Sequence, residues 1–201
     1  MKTKMWMLLL ALAPLSSQAA RYCRAEEAEI GEFQGRVVPV SIPGRCLVPN
    51  AQNITLGELK GLIQKQISAD AKIHEGPTSV QSAGLRGERY VFEYLDLGRQ
   101  DEVPGTYELI ILEDGKGFVQ GRIRSIELRG KGLLANLKNM QVDLNGTMGS
   151  ALRVDANVQV RVQKPAWAGT RSLFRGAIEG FLPGMMERVL GDIEKEIEKL
   201  R

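Results

Sequence analysis

The segment from Ala151 to Gln163 constrains the fold most, because its apolar and polar residues alternate without interruption. The side chains of a strand point to opposite faces in turn, so one face of this strand must be dry and the other wet. A slip of one residue would exchange the two faces, so the register of this strand within an antiparallel sheet is strongly specified. Its apolar positions are Leu152, Val154, Ala156, Val158, Val160 and Val162.

A long amphipathic helix is predicted after this strand. Pro165 ends the strand, and Thr170 is a suitable helix cap. Pro183, which has Gly180 and Gly184 beside it, is expected to kink or split the helix. Apolar residues recur at helical spacing to the end of the chain, at Phe174, Ile178, Phe181, Met185, Val189, Ile193, Ile197 and Leu200.

Two elements are predicted in the first part of the chain. Residues 36–42 are expected to form a strand in which Pro39 marks an edge position and which Pro43-Gly44 ends. A helix is predicted over residues 56–68, because Thr55 and Glu58 have the spacing of a capping box and apolar residues follow at helical intervals.

The middle of the chain has the period of strands. Asp114-Gly115 and Asn145-Gly146 are hairpin signals, which predict short connections between antiparallel neighbours. The fold class is therefore α+β, with a curved antiparallel sheet of about six to seven strands that grips the long C-terminal helix. The predicted strands of this part lie near residues 78–83, 87–97, 107–111, 118–128 and 140–144.

The N-terminus has the parts of a secretory signal peptide. Lys2 and Lys4 are positive, residues 5–15 form an apolar run, and Ser17 and Ala19 supply small residues for cleavage after Ala19. The run is shorter than the roughly 20 apolar residues that cross a membrane. Residues 1–20 are thus predicted to be a cleavable signal peptide, with an uncleaved anchor as the alternative. Residues 21–201 are predicted to form one exported domain, periplasmic or secreted.

Cys23 and Cys46 are the two cysteines of the chain. In an oxidising compartment an even number of cysteines favours a disulfide, and two buried free thiols are the alternative. Two cysteines and the distant His74 do not fill a tetrahedral zinc shell, so we expect no metal and no other cofactor.

The charge of the chain argues against nucleic acid as a partner. Of the 27 basic residues, Lys2 and Lys4 belong to the predicted signal peptide, which leaves 25 against 24 acidic residues. A nucleic-acid-binding protein needs a net basic face to release counterions, and a nearly neutral chain does not predict one.

This order of elements resembles the START-like, or polyketide-cyclase-like (SRPBCC), helix-grip superfamily. The resemblance runs from about Val37 to Leu200 and rests on the element order, on the passage from residues 151–163 through Pro165 into the long helix, and on the Phe-Leu-Pro-Gly of residues 181–184. It implies a hydrophobic small molecule or lipid held between the sheet and that helix. The export signal and an apparent insertion at residues 129–139 depart from the usual pattern.

Aromatic and flexible apolar side chains are expected to line that ligand site. For each of them, ordinary core packing is the alternative. The residues around Pro183 are either a mobile entrance, where Leu182 or Met186 contacts a membrane surface transiently, or only a bend. The expected lining residues are Tyr90, Phe92, Tyr94 and Tyr107 from the strands, and Phe174, Ile178, Phe181 and Met185 from the helix.

The sequence favours a binding protein over an enzyme without deciding between them. His74 is expected on the surface in a loop, and no nucleophile elbow, phosphate loop or dinucleotide fingerprint occurs. The first hypothesis is a non-catalytic carrier of a hydrophobic molecule or lipid. The alternatives are an envelope interaction protein with a filled core and a hydrolase or cyclase with polar groups in the cavity. The oligomeric state is left open.

Overall fold

The first helix begins at the residue that the sequence predicts, and local hydrogen bonds cap its start. In the computed structural model of the chain this helix, α1, spans Leu56–Lys65. The backbone N–H of Thr55 donates to Glu58 Oε2 at 2.7 Å, and the N–H of Glu58 donates to Thr55 Oγ1 at 3.2 Å. These reciprocal bonds are the predicted capping box, and they satisfy two donors that a helix N-terminus leaves free.

The structure describes residues 22–65, 71–94, 103–129, 135–166 and 169–200. The predicted signal peptide lies outside these residues. Side chains are not described for Leu62, Lys65, Ala177, residues 180–185, Arg188, Val189 and Asp192.

One antiparallel sheet contains all nine described strands. Their order across the sheet is β1, β3, β9, β8, β7, β6, β5, β4, and β2 pairs with β3 beside β1. The sequence predicts six to seven strands, and the two additional ones are too short to show a period of two. The strands are β1 Cys23–Ala25, β2 Glu29–Ile30, β3 Val37–Pro49, β4 Ala71–Ser82, β5 Leu85–Tyr94, β6 Gly105–Glu113, β7 Phe118–Leu128, β8 Leu137–Met148 and β9 Ala151–Gln163.

The prolines of β3 do not end it, contrary to the prediction. The strand continues through Pro43-Gly44 to Pro49, and it pairs with β9 along its whole length. Pro39 and Pro43 turn their backbone towards the short strands β1 and β2, where their carbonyls accept hydrogen bonds from Gly31 and Glu26. The N–H that a proline lacks costs little free energy on that side of β3, because the short strands β1 and β2 leave much of that side unpaired.

One of the two predicted hairpin turns is wrong. Asp114-Gly115 does form the turn between β6 and β7, where Asp114 Oδ1 accepts the backbone N–H groups of residues 116–118. Asn145-Gly146 instead lies inside β8. A Cβ at Gly146 would come within 2.7 Å of Leu59 Cδ2, so this glycine allows α1 to approach the sheet.

The long C-terminal helix, α2, spans Arg171–Leu200. It begins directly after Thr170, whose carbonyl accepts the N–H of Phe174 at 3.2 Å. The helix is continuous through Pro183, so the predicted split does not occur. It packs against β1 and β3, where a Cβ at Gly44 would lie 2.8 Å from Leu190 Cδ1. The helix α1 also covers part of the sheet, because it packs against β7.

A disulfide joins the start of the described chain to the sheet. Cys23 and Cys46 are direct partners in the register of β1 and β3, and they form the predicted bond. Next to it, the backbone N–H of Tyr22 donates to Oε1 of the buried Glu194 of α2 at 2.7 Å. The disulfide and this hydrogen bond together hold β1 between β3 and α2.

Replacing both cysteines by serine is expected to lower the free energy of unfolding by about 3 kcal/mol, because the disulfide closes a loop of 23 residues in the unfolded chain. Urea unfolding of the oxidised protein and the double variant measures this difference. Reduced wild-type protein is the control and should match the variant. An unchanged unfolding free energy would show that the bond adds nothing to the stability of the sheet.

Candidate functional site

The face of the sheet that carries both helices, which we call the inner face, contains the candidate site. Cross-strand pairing sets its side chains in rows. One row runs from Tyr90 through Leu109, Ile123 and Val142 to Val158. Because neighbouring strands lie about 4.8 Å apart, side chains in one row contact each other directly. A site on this face is therefore built from residues that are far apart in the sequence.

Three of the predicted lining residues form an aromatic cluster on β5 and β6. The ring centroids of Phe92 and Tyr107 are 5.7 Å apart in a stacked arrangement. The ring of Tyr94 stands edge-on to both, at 5.2 Å from Phe92 and 5.6 Å from Tyr107. Phe92 is fully buried and Tyr107 is 1% exposed, whereas Tyr94 is half-buried. Tyr94 is thus the accessible member of the cluster.

The hydroxyl of Tyr107 is part of the structural frame. It donates a hydrogen bond of 2.7 Å to the carbonyl of Val103. Burial raises the pKa of this hydroxyl well above the ordinary value of a tyrosine, because a phenolate would lose its hydration there. Tyr107 therefore stays neutral and serves as a fixed wall.

A polar group on the inner face joins β5 to α1, and the sequence did not predict it. We call Lys60, Gln64, Glu88 and Tyr90 the polar quartet. Glu88 accepts hydrogen bonds from Lys60 at 3.1 Å, Gln64 at 3.2 Å and the Tyr90 hydroxyl at 2.5 Å. Gln64 also donates to the Tyr90 hydroxyl at 3.0 Å.

The polar quartet shifts the pKa values of its two acids in opposite directions. The hydrogen bond from Tyr90, with help from Lys60 and Gln64, lowers the pKa of Glu88 despite its partial burial. Partial burial and the neighbouring Glu88 carboxylate raise the pKa of the Tyr90 hydroxyl. At neutral pH the quartet therefore holds the Glu88 carboxylate and the neutral Tyr90 hydroxyl next to the aromatic cluster.

Apolar side chains that are only half-buried continue the inner face beyond the aromatic cluster. In contrast, Val40 and Val158 of the adjacent strands β3 and β9 are 3% and 2% exposed. This set of residues, which we call the inner apolar patch, packs against the core from β5, β7 and β8. Its members are Tyr94, Ile123, Leu128, Leu137, Met140 and Val142.

The predicted helix residues are not all at this patch. Phe174 is half-buried and packs against Phe33, with ring centroids 6.3 Å apart, and Ile178 is 6% exposed in the core. The side chains of Phe181 and Met185 lie outside the described residues. Met186 is fully buried over Gly44, so the expectation that it contacts a membrane is wrong.

His74 lies on the surface, as predicted, but on β4 and not in a loop. Its Nε2 is 3.0 Å from Glu93 Oε2, and 39% of its side chain is exposed. Such an exposed pair on the far edge of the sheet does not reach the inner face. Within the described ranges, no three His, Cys, Asp or Glu side chains are placed to share a metal ion.

The outer face of the sheet, opposite the helices, carries an open cleft of about 510 Å³. Ser41, Gln141, Gln159 and Arg161 are among its polar lining residues. They alternate along their strands with the apolar residues of the inner face, so the sheet separates this cleft from the aromatic cluster. Ile30, Pro39, Val40 and Val160 also line it, so this open cleft has a mixed lining, whereas a pocket for an apolar ligand is enclosed and mostly apolar.

Comparison with known proteins finds similarity only among solved structures, since no family model and no curated protein matches the chain. The protein TTHA0849 from Thermus thermophilus has 12% identity and a TM-score of 0.47, over 79% of this chain and 97% of that one. Human StAR-related lipid transfer protein 5 has 11% identity and a TM-score of 0.42, over 96% and 92%. Truncated norcoclaurine synthase from Thalictrum flavum has 14% identity and a TM-score of 0.43, over 84% and 97%.

At these identities and TM-scores the likeness assigns no family to this chain, and any statement about a ligand has to rest on the residues of this chain.

Replacing Tyr107 by phenylalanine is expected to cost about 1–2 kcal/mol of stability at pH 7, because the buried carbonyl of Val103 loses its donor. The raised pKa means that folding favours the protonated hydroxyl. The wild-type protein should therefore lose stability as the pH rises above about 10, the ordinary pKa of tyrosine. Urea unfolding at pH 7, 9 and 11 should show a smaller alkaline loss for the variant. Equal alkaline losses would contradict this role of Tyr107.

Proposed function

We propose that this protein is an exported, non-catalytic binding or carrier protein for a hydrophobic small molecule or lipid, held on the inner face between the sheet and the C-terminal helix. The inner apolar patch is the single observation that carries this proposal. A side chain such as Met140 or Val142 in the middle of a sheet is normally buried, yet both are half-buried here.

The positions of the two helices explain why the patch stays partly open. Ile63 of α1 packs over Gly121, towards the hairpin end of β7, and Met186 and Leu190 of α2 pack over Gly44 of β3. In the strand order β8 lies between these two contacts, and the other members of the patch lie on β7 and β5. An apolar ligand placed there would complete the layer over the sheet.

The patch contributes part of the free energy that binding needs. Full burial of one large apolar side chain is worth roughly 1.5–3 kcal/mol, and each of the six side chains is already mostly buried, so each offers only a minor fraction of that amount. Micromolar affinity requires about 8 kcal/mol after the cost of association is subtracted. Burial of the ligand's own apolar surface has to supply most of the gain.

The polar quartet gives this site an orientation. A binding pocket is typically apolar with a few polar groups that fix one end of the ligand. Tyr90 lies in the same row as Ile123 and Val142, with Leu109 between them, and Glu88 lies in the next row, opposite Ile111. A ligand with one hydroxyl or amine and a long apolar body fits this arrangement.

Two observations support export. The Cys23–Cys46 disulfide is typical of proteins outside the reducing cytoplasm, and residues 1–20 have the pattern of a signal peptide. Among the described helices, none combines the length and the hydropathy that a membrane crossing requires.

An enzymatic role is the second candidate, because the structure brings two titratable groups, Glu88 and Tyr90, within 2.5 Å on the inner face. Their hydrogen bonds already occupy both groups, and Lys60 and Gln64 complete the set. Because the four side chains are already hydrogen-bonded to one another, the polar quartet is better suited to orient a ligand than to transfer a proton. An envelope interaction protein with a filled core is the remaining alternative.

Replacing Val142 by tryptophan is expected to fill the site and to weaken the binding of an apolar fluorescent dye at least tenfold. The matched control is Gln141→Trp, which places the same ring on the outer face of the same strand. Dye titration with both variants, after circular dichroism has shown that both are folded, measures the effect. Equal affinities for the two variants would place the dye elsewhere than on the inner face.

Native mass spectrometry of the protein purified from its own envelope fraction tests occupancy directly. A co-purifying lipid or other apolar mass is the expected result. Clean protein that also binds no dye would favour the interaction protein with a filled core. If the protein turns over a bound ester or ketide, and if Glu88→Gln abolishes that turnover, the result would favour the enzymatic role.

A further inference from the structure

Three arginines on the outer face of the sheet, on β5 and β7, are paired with carboxylates. Arg122 Nε lies 2.6 Å from Asp143 Oδ1 in the neighbouring strand. Oε1 and Oε2 of the buried Glu108 are 2.6 and 2.7 Å from Nε of Arg89 and Arg124, one on each side. These cross-strand pairs reduce the free charge on this part of the face.

Three arginines at one end of the molecule have neutral partners instead. Arg36 Nε and Nη2 donate to the carbonyl of Lys164 at 3.2 and 3.0 Å. Arg171 Nη2 donates to the carbonyl of Gly35 at 3.1 Å, and Arg161 Nη2 donates to the Gln34 amide oxygen at 2.9 Å. All three arginines are exposed. Among the described residues none of the three forms an ion pair with a carboxylate, and their other N–H groups remain available.

An exposed apolar residue lies two positions after Arg171, at the same end of α2. Leu173, in the first turn of α2, is 70% exposed, more than the other exposed large apolar residues among the described positions. Behind it, Phe33 packs on Phe174, and the Arg171 guanidinium lies 5.2 Å above the ring of Phe33. We call Arg36, Arg161, Lys164, Arg171 and Leu173 the arginine tip.

The arginine tip has a surplus of positive charge. It carries four basic side chains, and the carboxylates of Glu29 and Glu32 lie in the adjoining segment. A further cation nearby, Arg175, is already paired with Glu179 at 3.2 Å. The tip thus presents cations and one protruding leucine together.

The tip adjoins the end of the inner apolar patch. Leu137 of the patch is the register partner of Val162, two residues before Lys164. The N–H of Lys164 donates to the carbonyl of Arg36 at 2.7 Å, which fixes the two basic residues at this edge. A molecule that leaves the patch at this end would leave it next to the arginine tip.

We infer that the arginine tip docks the protein on a membrane surface that carries anionic phospholipids. Guanidinium groups bind phosphate through two parallel hydrogen bonds, and fixed arginines lose little freedom when they do so. A free anion would need the charges but not Leu173. A membrane uses both, because the side chain enters the interfacial layer while the arginines meet the headgroups.

The inference rests on residues other than those of the proposed ligand site. It therefore extends the proposed function, since docking places the open end of the patch at a lipid surface. Its failure would leave the binding of an apolar ligand from solution untouched.

Co-sedimentation of the full mature chain with vesicles tests the inference. We expect binding to vesicles of phosphatidylcholine with about 30% phosphatidylglycerol, weak binding to pure phosphatidylcholine, and release at about 1 M salt, where screening is short-ranged. Each of Arg36→Gln, Arg161→Gln and Arg171→Gln should lower the partition coefficient about fivefold, which corresponds to about 1 kcal/mol per basic residue at an anionic surface. Leu173→Ser should lower it by a similar factor.

Two matched variants serve as controls. Leu47→Ser removes another exposed leucine, and Arg153→Gln removes an arginine that is paired with Asp155. Both should bind the vesicles like the wild type, and all variants should keep the affinity for the apolar dye, which shows that they are folded and that the ligand site is intact.

Three results would overturn the inference. These are equal binding to phosphatidylcholine alone, equal losses in the two control variants, and binding that depends on the arginines but not on Leu173. The last result, together with competition by inorganic phosphate at similar strength, would identify a site for free anions. If the wild-type protein binds the vesicles but does not bind the apolar dye, the result would contradict the proposed function and not the docking.

Discussion

The pairing of β3 with β9 is the constraint on which the rest of the structure depends. The two strands are in register from Val37 opposite Gln163 to Pro49 opposite Ala151. Because side chains alternate, this register directs the buried residues of both strands to one face. It also joins the beginning of the described chain to the segment that leads into α2, so the helix starts at a fixed end of the sheet. The disulfide then adds β1 beside the same strand.

Glycines on the inner face decide how closely the helices approach the sheet. A Cβ at Gly44 would meet Leu190 and Met186 of α2, and a Cβ at Gly146 would meet Leu59 of α1, each at under 3 Å. Because these positions carry no side chain, each helix settles over a glycine. The two contacts lie on β3 and on β8, whereas half of the inner apolar patch lies beyond both of them in the strand order, on β7 and β5.

Much of the fold could be predicted from the sequence, because its signals are local. The alternation in β9, the capping box at Thr55 and the turn at Asp114 each depend on a few neighbouring residues. Asn145-Gly146 was wrongly predicted as a turn. Position 146 needs a glycine because Leu59 of α1 packs there, and Leu59 is distant in the sequence. The polar quartet was missed for the same reason, since Lys60 and Glu88 are 28 residues apart and meet only through the packing of α1 on β5.

The partly open inner face has an energetic consequence for the protein itself. Half-buried aliphatic side chains such as Ile123 and Met140 forgo part of the hydrophobic gain that Val158 and Val40 obtain in the core. A molecule that covers them binds the folded state and not the unfolded chain, so it must stabilise the fold in proportion to its occupancy. Under the proposed function, filling the site and completing the hydrophobic core would therefore be one equilibrium.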